Sequence, residues 1–190
     1  MLFQDVLLRV QHEVGQRWQQ GDMRVGQEHE ITEVLREAIA QLSWRHAVEP
    51  AGLPILAACA PGEHHDLGLR MVVGLLRTRG RQVHFLGSNV DTPFLLEEIR
   101  TRQPAVTLLS ATLPARFPAL RNLLEQLQGD PGTRAIPVMV GGGVAHVMDA
   151  DLTRLGAIPN RESDLLSAVD TIMHLYEQQL AGRENVVVTA

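Results

Sequence analysis

The sequence predicts an α/β protein, with a five-stranded parallel sheet wound between helices and preceded by a short helical segment. Three observations carry this. Short apolar runs alternate with helical patterns from Pro54 to about Leu180, and such alternation makes a parallel sheet with right-handed crossovers. The runs are continuous rather than alternating, as strands buried on both faces should be. Residues 1 to about 48 differ: they contain no proline, and their apolar residues recur at helical spacing.

In chain order, Leu2, Val6, Leu7 and Val10 mark a first helix, and Ile31, Val34, Leu35, Ala38 and Ile39 a second, with a break near Gly21-Asp22. Pro50, Gly52 and Pro54 punctuate the chain, which places a boundary between a helical segment at 1–48 and a sheet domain at 54–182. "PILAACA" is the first strand, followed by a helix from about Asp66 to Arg79 that ends at Gly80. "QVHFLG", "AVTLLSA", "IPVMVGGG" and "GAI" are the later strands. Between them lie the helices "DTPFLLEEIRTR" and "PARFPALRNLLEQLQ" and a further short one, and a last helix runs from about Glu162 to Leu180. Five strands in this order suit a flavodoxin-like (Rossmann-like) sheet. The tail "GRENVVVTA" allows either an extra strand or disorder.

Composition narrows the function. Of 190 residues 45% are hydrophobic and 21% charged, enough apolar material for a sizeable core. The net charge of -5, with no basic run, argues against direct contact with long stretches of nucleic acid, which needs a basic patch. No apolar run reaches the roughly 18 residues of a membrane span. "MLFQDVLLRVQHEV" has polar and acidic residues early, unlike a signal peptide. The single cysteine, Cys59, excludes an internal disulfide and fits a reducing cytoplasm. Its apolar surroundings make it a core residue rather than a nucleophile.

In a doubly wound sheet, ligands bind at the carboxyl ends of strands, where strand order reverses. Three strand ends stand out. The first strand is followed by "PGEHHDLG", the third ends at Ser110-Ala111-Thr112, and the fourth at Gly141-Gly142-Gly143. Taken singly, each has an ordinary reading: a solvated helix start, strand-end hydroxyls, a phosphate loop. No G-x-G-x-x-G follows the first strand and no Walker lysine is present, so a nucleotide site lacks its usual supports.

Together, Glu63-x-His65-x-x-Gly68, Ser110-x-Thr112 and Gly141-Gly142 resemble the signature of cobalamin-binding domains, usually Asp-x-His-x-x-Gly, a serine motif and Gly-Gly. The resemblance covers roughly residues 54 to 180. It implies that His65 ligates cobalt from below as a neutral imidazole, while Glu63 accepts a hydrogen bond from its other nitrogen. Glu63 departs from the usual aspartate but keeps the chemistry. The displaced nucleotide tail is then expected past Ser110 and Thr112 and over Gly141, Gly142 and Gly143, with Asp66 and Gly68 also at the cofactor. His64 is adjacent, but the spacing favours His65.

The helical segment adds Trp18-x9-Glu28-His29. As isolated residues these suit a packed tryptophan and a solvated helix start. In sequence they resemble a motif of cobalamin-dependent photoreceptors and related short proteins that act on transcription factors. That family implies a helical bundle over the corrin's upper face, with Trp18 capping an adenosyl group and Glu28 and His29 lining its pocket. Two departures stand out. Gln19 occupies the position where the family has a cobalt-capturing histidine, and an amide is a poor cobalt ligand beside imidazole; water, His29 or His12 is left for that role. The family's bundle has four helices and follows a MerR-type DNA-binding domain, whereas residues 1–48 supply two helices, as in a short form or one with its front shortened. The expectation is a cytoplasmic, non-catalytic, light- or ligand-responsive regulator. Adenosylcobalamin is its favoured cofactor, with methylcobalamin or hydroxocobalamin as alternatives. It would act through a transcription-factor partner or self-association of the N-terminal helices, without direct DNA or membrane contact. The rival expectation is a corrinoid carrier of a methyltransferase system.

Overall fold

The computed structural model describes residues 3–45 and 51–188. A turn of π-helix at Phe3–Leu7 runs into α1, Leu8–Gln20, and α2 spans Val25–Arg45. Gly21 closes α1 at φ +79, and the N–H groups of Gly21 and Asp22 bond back to the carbonyls of Trp18 and Arg17. A side chain there would oppose the left-handed turn that separates the two helices.

Five parallel strands follow: β1 Ala51–Cys59, β2 Arg81–Phe85, β3 Val106–Ser110, β4 Val138–Gly141 and β5 Ile158–Pro159. Their order is β2-β1-β3-β4-β5, so the order reverses between β1 and β3. The crossovers are α3 Leu67–Thr78, α4 Thr92–Arg102, α5 Phe117–Gly129, and a pair of short helices, α6 Gly143–Val147 and α7 Asp149–Arg154. The last helix, α8, spans Leu165–Val188. The tail is therefore neither a strand nor an unstructured end as far as Val188; it prolongs α8.

The strands sort their side chains with period two. Ile55, Ala57 and Cys59 of β1 face one core with α3 and α8, whereas Leu56, Ala58 and Ala60 face the other with α4 and α5. The first core also takes Phe3, Leu7, Leu35 and Ile39 from the N-terminal helices, so these helices pack onto the α3 side of the sheet. Ser43 of α2 is buried against Gly74 of α3 and donates to the Ile39 carbonyl at 2.6 Å. β1 begins within the stretch expected to be a linker. The offset between Ala51 and Ile55 in its pairing with β2 absorbs Gly52, at φ +80, and Pro54. Among the described residues, no helix is long and apolar enough to cross a membrane.

Candidate cofactor site

The loop after β1 and the loop after β3 meet at the reversal of strand order, and one carboxylate joins them. Glu63 is fully buried and accepts four hydrogen bonds. On Oε1 it takes the His65 backbone N–H at 2.8 Å and His65 Nδ1 at 2.5 Å. On Oε2 it takes the Thr112 N–H at 2.6 Å and, more weakly, the Leu113 N–H at 3.4 Å. Burial alone would raise its pKa, but the hydrogen bonds from His65 and Thr112 prevail and hold the carboxyl below the usual carboxylate range. The charged form is thus kept where it orients His65. With Nδ1 on Glu63, the imidazole keeps Nε2 for another partner.

A cavity of about 340 Å³ opens beside His65, between the ends of β3 and β4 and the first turns of α3 and α8. It is lined by Gly68, Ser110, Thr112, Gly141, Gly142 and Gly143, so the three strand-end motifs do converge. The glycines play different parts. A Cβ on Gly68 would meet nothing within 4 Å, and one on Gly141 only Asn160 Nδ2 at 4.0 Å, so both leave open space. At Gly142 the backbone has φ +86, and a Cβ would lie 2.5 Å from the Ala111 carbonyl oxygen. At Gly143 it would lie 2.5 Å from the Thr112 oxygen. Gly142 and Gly143 therefore let β4 approach the β3 loop, and Gly68 and Gly141 keep the cavity open.

Asp66 is also buried but turns elsewhere. Its carboxylate accepts from Arg36 Nε of α2 at 3.1 Å and Arg70 Nε of α3 at 2.8 Å, tying the N-terminal helices to the start of α3. Cys59 is buried and bonded weakly to the His65 carbonyl; burial, then the charges of Asp66 and Glu63, push its thiol up to about 12. It is an inert core residue. His64 is exposed.

The helical motif is placed differently. Trp18 is half exposed, at 50%. Glu28 accepts from Thr32 Oγ1 at 2.7 Å and pairs with the exposed His29 at 3.1 Å, all within α2. None of the three lines the cavity beside His65, and the Gln19 side chain lies outside the described residues. From the helices the cavity takes Leu8, Gln11 and His12 of α1 instead. Gln11 Oε1 is buried there without a hydrogen-bond partner.

Strand-end reasoning also overlooked the loop after β5. Asn160, Glu162, Ser163 and Asp164 line the cavity, and the sequence marks them as a polar run after the last strand. Asp164 caps α8 by accepting from the Leu166 and Ser167 N–H groups at 3.0 Å, and Glu162 accepts from Thr171 Oγ1 at 3.2 Å.

A family model described as "B12 binding domain" matches residues 53–162, and a second model of the same description matches residues 2–43. The HTH-type transcriptional repressor CarH of Myxococcus xanthus is 32% identical over 156 residues, which are 80% of this chain and 50% of that protein. Dimethylamine corrinoid protein 1 of Methanosarcina acetivorans is 28% identical over 103 residues, 54% of this chain and 47% of that protein. The chain spans about half the length of these relatives. Among solved structures, the monomethylamine corrinoid protein of Methanosarcina barkeri shares the fold, with a TM-score of 0.70 at 20% identity over 89% of this chain and 80% of that one.

Proposed function

The chain belongs to the B12 binding domain family, and from that premise we propose that it is a cobalamin-binding sensor whose N-terminal helices report the state of the cofactor. In this reading residues 1–48 form the cap and residues 54–182 the binding domain. One observation carries the binding mode: a buried Glu63 holds His65 by Nδ1 beside a cavity kept open by Gly68 and Gly141.

The residues fit the group. A single imidazole backed by a carboxylate suits a metal whose equatorial positions are filled by a macrocycle. Among the described residues no group of three His, Cys, Asp or Glu side chains offers an all-protein site. Gln11 Oε1 is a buried acceptor in want of a donor, and a corrin carries peripheral amides. His65 would therefore ligate cobalt through Nε2, with Glu63 fixing the tautomer. Ser110 and Thr112 would line the path of the nucleotide tail and Gly141 would admit it. The light-sensitive cobalt–carbon bond belongs to bound adenosylcobalamin; binding and coupling belong to the protein.

The length of the matches supports sensing over methyl transfer. Similarity to the repressor extends over 80% of this chain, against 54% for the dimethylamine protein, and Trp18, Glu28 and His29 follow the photoreceptor spacing. A part-buried ion pair also joins the two parts, since Arg36 of α2 reaches Asp66, the residue after His65. His12 and His29 are the two histidines left for a second cobalt position; His12 lines the cavity beside His65 and His29 does not. The output is then a change at the N-terminal helices, read by a transcription-factor partner or by another copy. Ligand loss shifts such an equilibrium only if the two assembly states bind the two cofactor forms with different affinity. The test is to load the protein with adenosylcobalamin in the dark and to record its absorption spectrum and sedimentation before and after green light. A spectral change with a change of mass, or of partner binding, is expected. A spectrum indifferent to light, beside ready demethylation of methylcobalamin by a corrinoid methyltransferase, would favour the carrier.

A further inference from the structure

The end of β2 carries none of the strand-end motifs, yet it meets the loop that bears His65. β1 and β2 leave the sheet side by side: the Leu86 N–H donates to the Ala57 carbonyl and the Cys59 N–H to the Gly87 carbonyl, both at 2.9 Å. Ala60 to Glu63 then close a turn, with the Glu63 N–H on the Ala60 carbonyl at 2.9 Å. Pro61 and Gly62, the latter at φ +78, are the central pair that a type II turn favours. That turn makes no use of the Gly62 N–H or the Glu63 carbonyl, and Asn89 takes both. Its Oδ1 accepts from the Gly62 N–H at 2.8 Å, and its own backbone N–H donates to the Glu63 carbonyl at 2.8 Å. Asn89 stands at φ +50, in the left-handed region that asparagine enters more readily than most side chains. Glu63 is thus fixed from three strand ends: its N–H by the turn after β1, its carbonyl by Asn89 after β2, and its carboxylate by the Thr112 N–H after β3. His65 hangs on that carboxylate by its backbone N–H and by Nδ1.

We infer that Asn89 is a positioning residue for His65: by clasping the backbone on both sides of the Gly62–Glu63 peptide, it sets the Glu63 carboxylate where it orients the imidazole. What His65 then binds rests on the cofactor reading above. Asn89 is exposed and lines no part of the cavity beside His65, so it acts through Glu63. Groups that orient the partner of a metal-binding histidine change affinity without touching the metal. The loop after β2 therefore has a task of its own, alongside the loops after β1 and β3.

Three variants of the full chain test this. Asn89→Gly keeps the positive φ and the backbone N–H but loses the Oδ1 acceptor. Asn89→Asp keeps an acceptor at the same reach. Gln103→Gly is the control: Gln103 also stands at positive φ, +45, at the far end of α4, where its side chain donates to the Arg100 and Gly132 carbonyls. The first measurement needs no cofactor. Nitrogen NMR of the chain labelled at histidine, above neutral pH, reads the tautomer of each ring, with His65→Ala assigning the His65 signals. His65 should carry its proton on Nδ1 in the wild type and show a mixture of tautomers in Asn89→Gly, with the other two variants like the wild type. Loaded with cobalamin in the dark, Asn89→Gly should bind about three- to tenfold more weakly, with a smaller His-on fraction; Asn89→Asp and Gln103→Gly should stay within about twofold of the wild type. A tautomer and an affinity unchanged in Asn89→Gly would overturn the inference and leave the cofactor reading intact. So would equal losses in Gln103→Gly, which would mark a general loosening of the fold. If no corrinoid binds the wild-type chain, the cofactor reading fails, and the ring-nitrogen signals alone decide whether Asn89 holds His65.

Discussion

The strand-end site and the helical motif are built in opposite ways. At the strand ends every polar group that orients His65 is already engaged: Glu63 is buried, holds two loops together and accepts four hydrogen bonds. On the helices Trp18 is half exposed, and the Glu28 side chain bonds to Thr32 and His29 of its own helix. The first region is organised by sheet topology before anything binds. The second is a half-exposed tryptophan on α1 and a Glu-His pair along α2, none of them lining the cavity. The proposed sensing role calls for this asymmetry, because the part that grips would be fixed and the part that reports would be free to have two arrangements.

The largest effect is expected at Gly142. Gly142→Ala forces a Cβ against the Ala111 carbonyl in backbone that is nearly glycine-only. It should lower folding stability by about 3 kcal/mol, read as a fall in urea midpoint. Gly141→Ala has space and should leave the midpoint nearly unchanged while weakening cobalamin binding. Next is the grip itself. His65→Ala should abolish the His-on spectrum and weaken cobalamin binding by about a hundredfold, and Glu63→Gln, which turns an amide toward N–H donors, by about tenfold to a hundredfold. His64→Ala, one residue away and exposed, should change neither.

Glu63 also makes a prediction in pH. Its folded pKa is depressed, so its contribution to stability is fully present above the unfolded value of about 4.3. That contribution is lost as pH falls through the lower folded value. The urea midpoint should therefore drop between neutral and acid pH less steeply in Glu63→Gln than in the wild type. An identical slope would mean that Glu63 is not held ionised.

The reporting region should give smaller effects. Trp18→Ala removes a half-exposed side chain and should shift stability by under about 0.5 kcal/mol. It should, however, reduce several-fold the preference for adenosylcobalamin over hydroxocobalamin, as should Glu28→Ala more weakly. Unchanged preferences would leave Trp18 a surface residue. His12→Ala should bind adenosylcobalamin normally in the dark and alter only the spectrum after illumination. If His29→Ala does so instead, the second cobalt position belongs to α2.

The strand-end half was legible in the sequence because its logic is one-dimensional. Continuous apolar runs mark the strands, the residue after each run lies at the carboxyl edge, and chain order brings those edges together. The same rule extended to the fifth strand would have found Asn160 and Glu162, but "GAI" yields only a two-residue strand and its following loop drew no attention. Asp66 could not be assigned from its neighbours, since its partners Arg36 and Arg70 come one from far along the chain and one from the next turn. Nor does periodicity say which surface an amphipathic helix will meet: Leu8, Gln11 and His12 reach the cavity only because α1 packs on the α3 side.

The proposed ligation of cobalt by His65 can be tested directly. The direct measurement is the electron paramagnetic resonance spectrum of the chain loaded with the cobalt(II) form of cobalamin, prepared once with ordinary histidine and once with histidine carrying the heavy, spin-one-half nitrogen isotope. Ligation by His65 predicts that each cobalt line, split into a triplet by ordinary nitrogen, becomes a doublet in the labelled protein, and that His65→Ala loses the labelled doublet. Triplets that persist in the labelled protein would mean that the cofactor's own base still holds the metal, and would contradict the account.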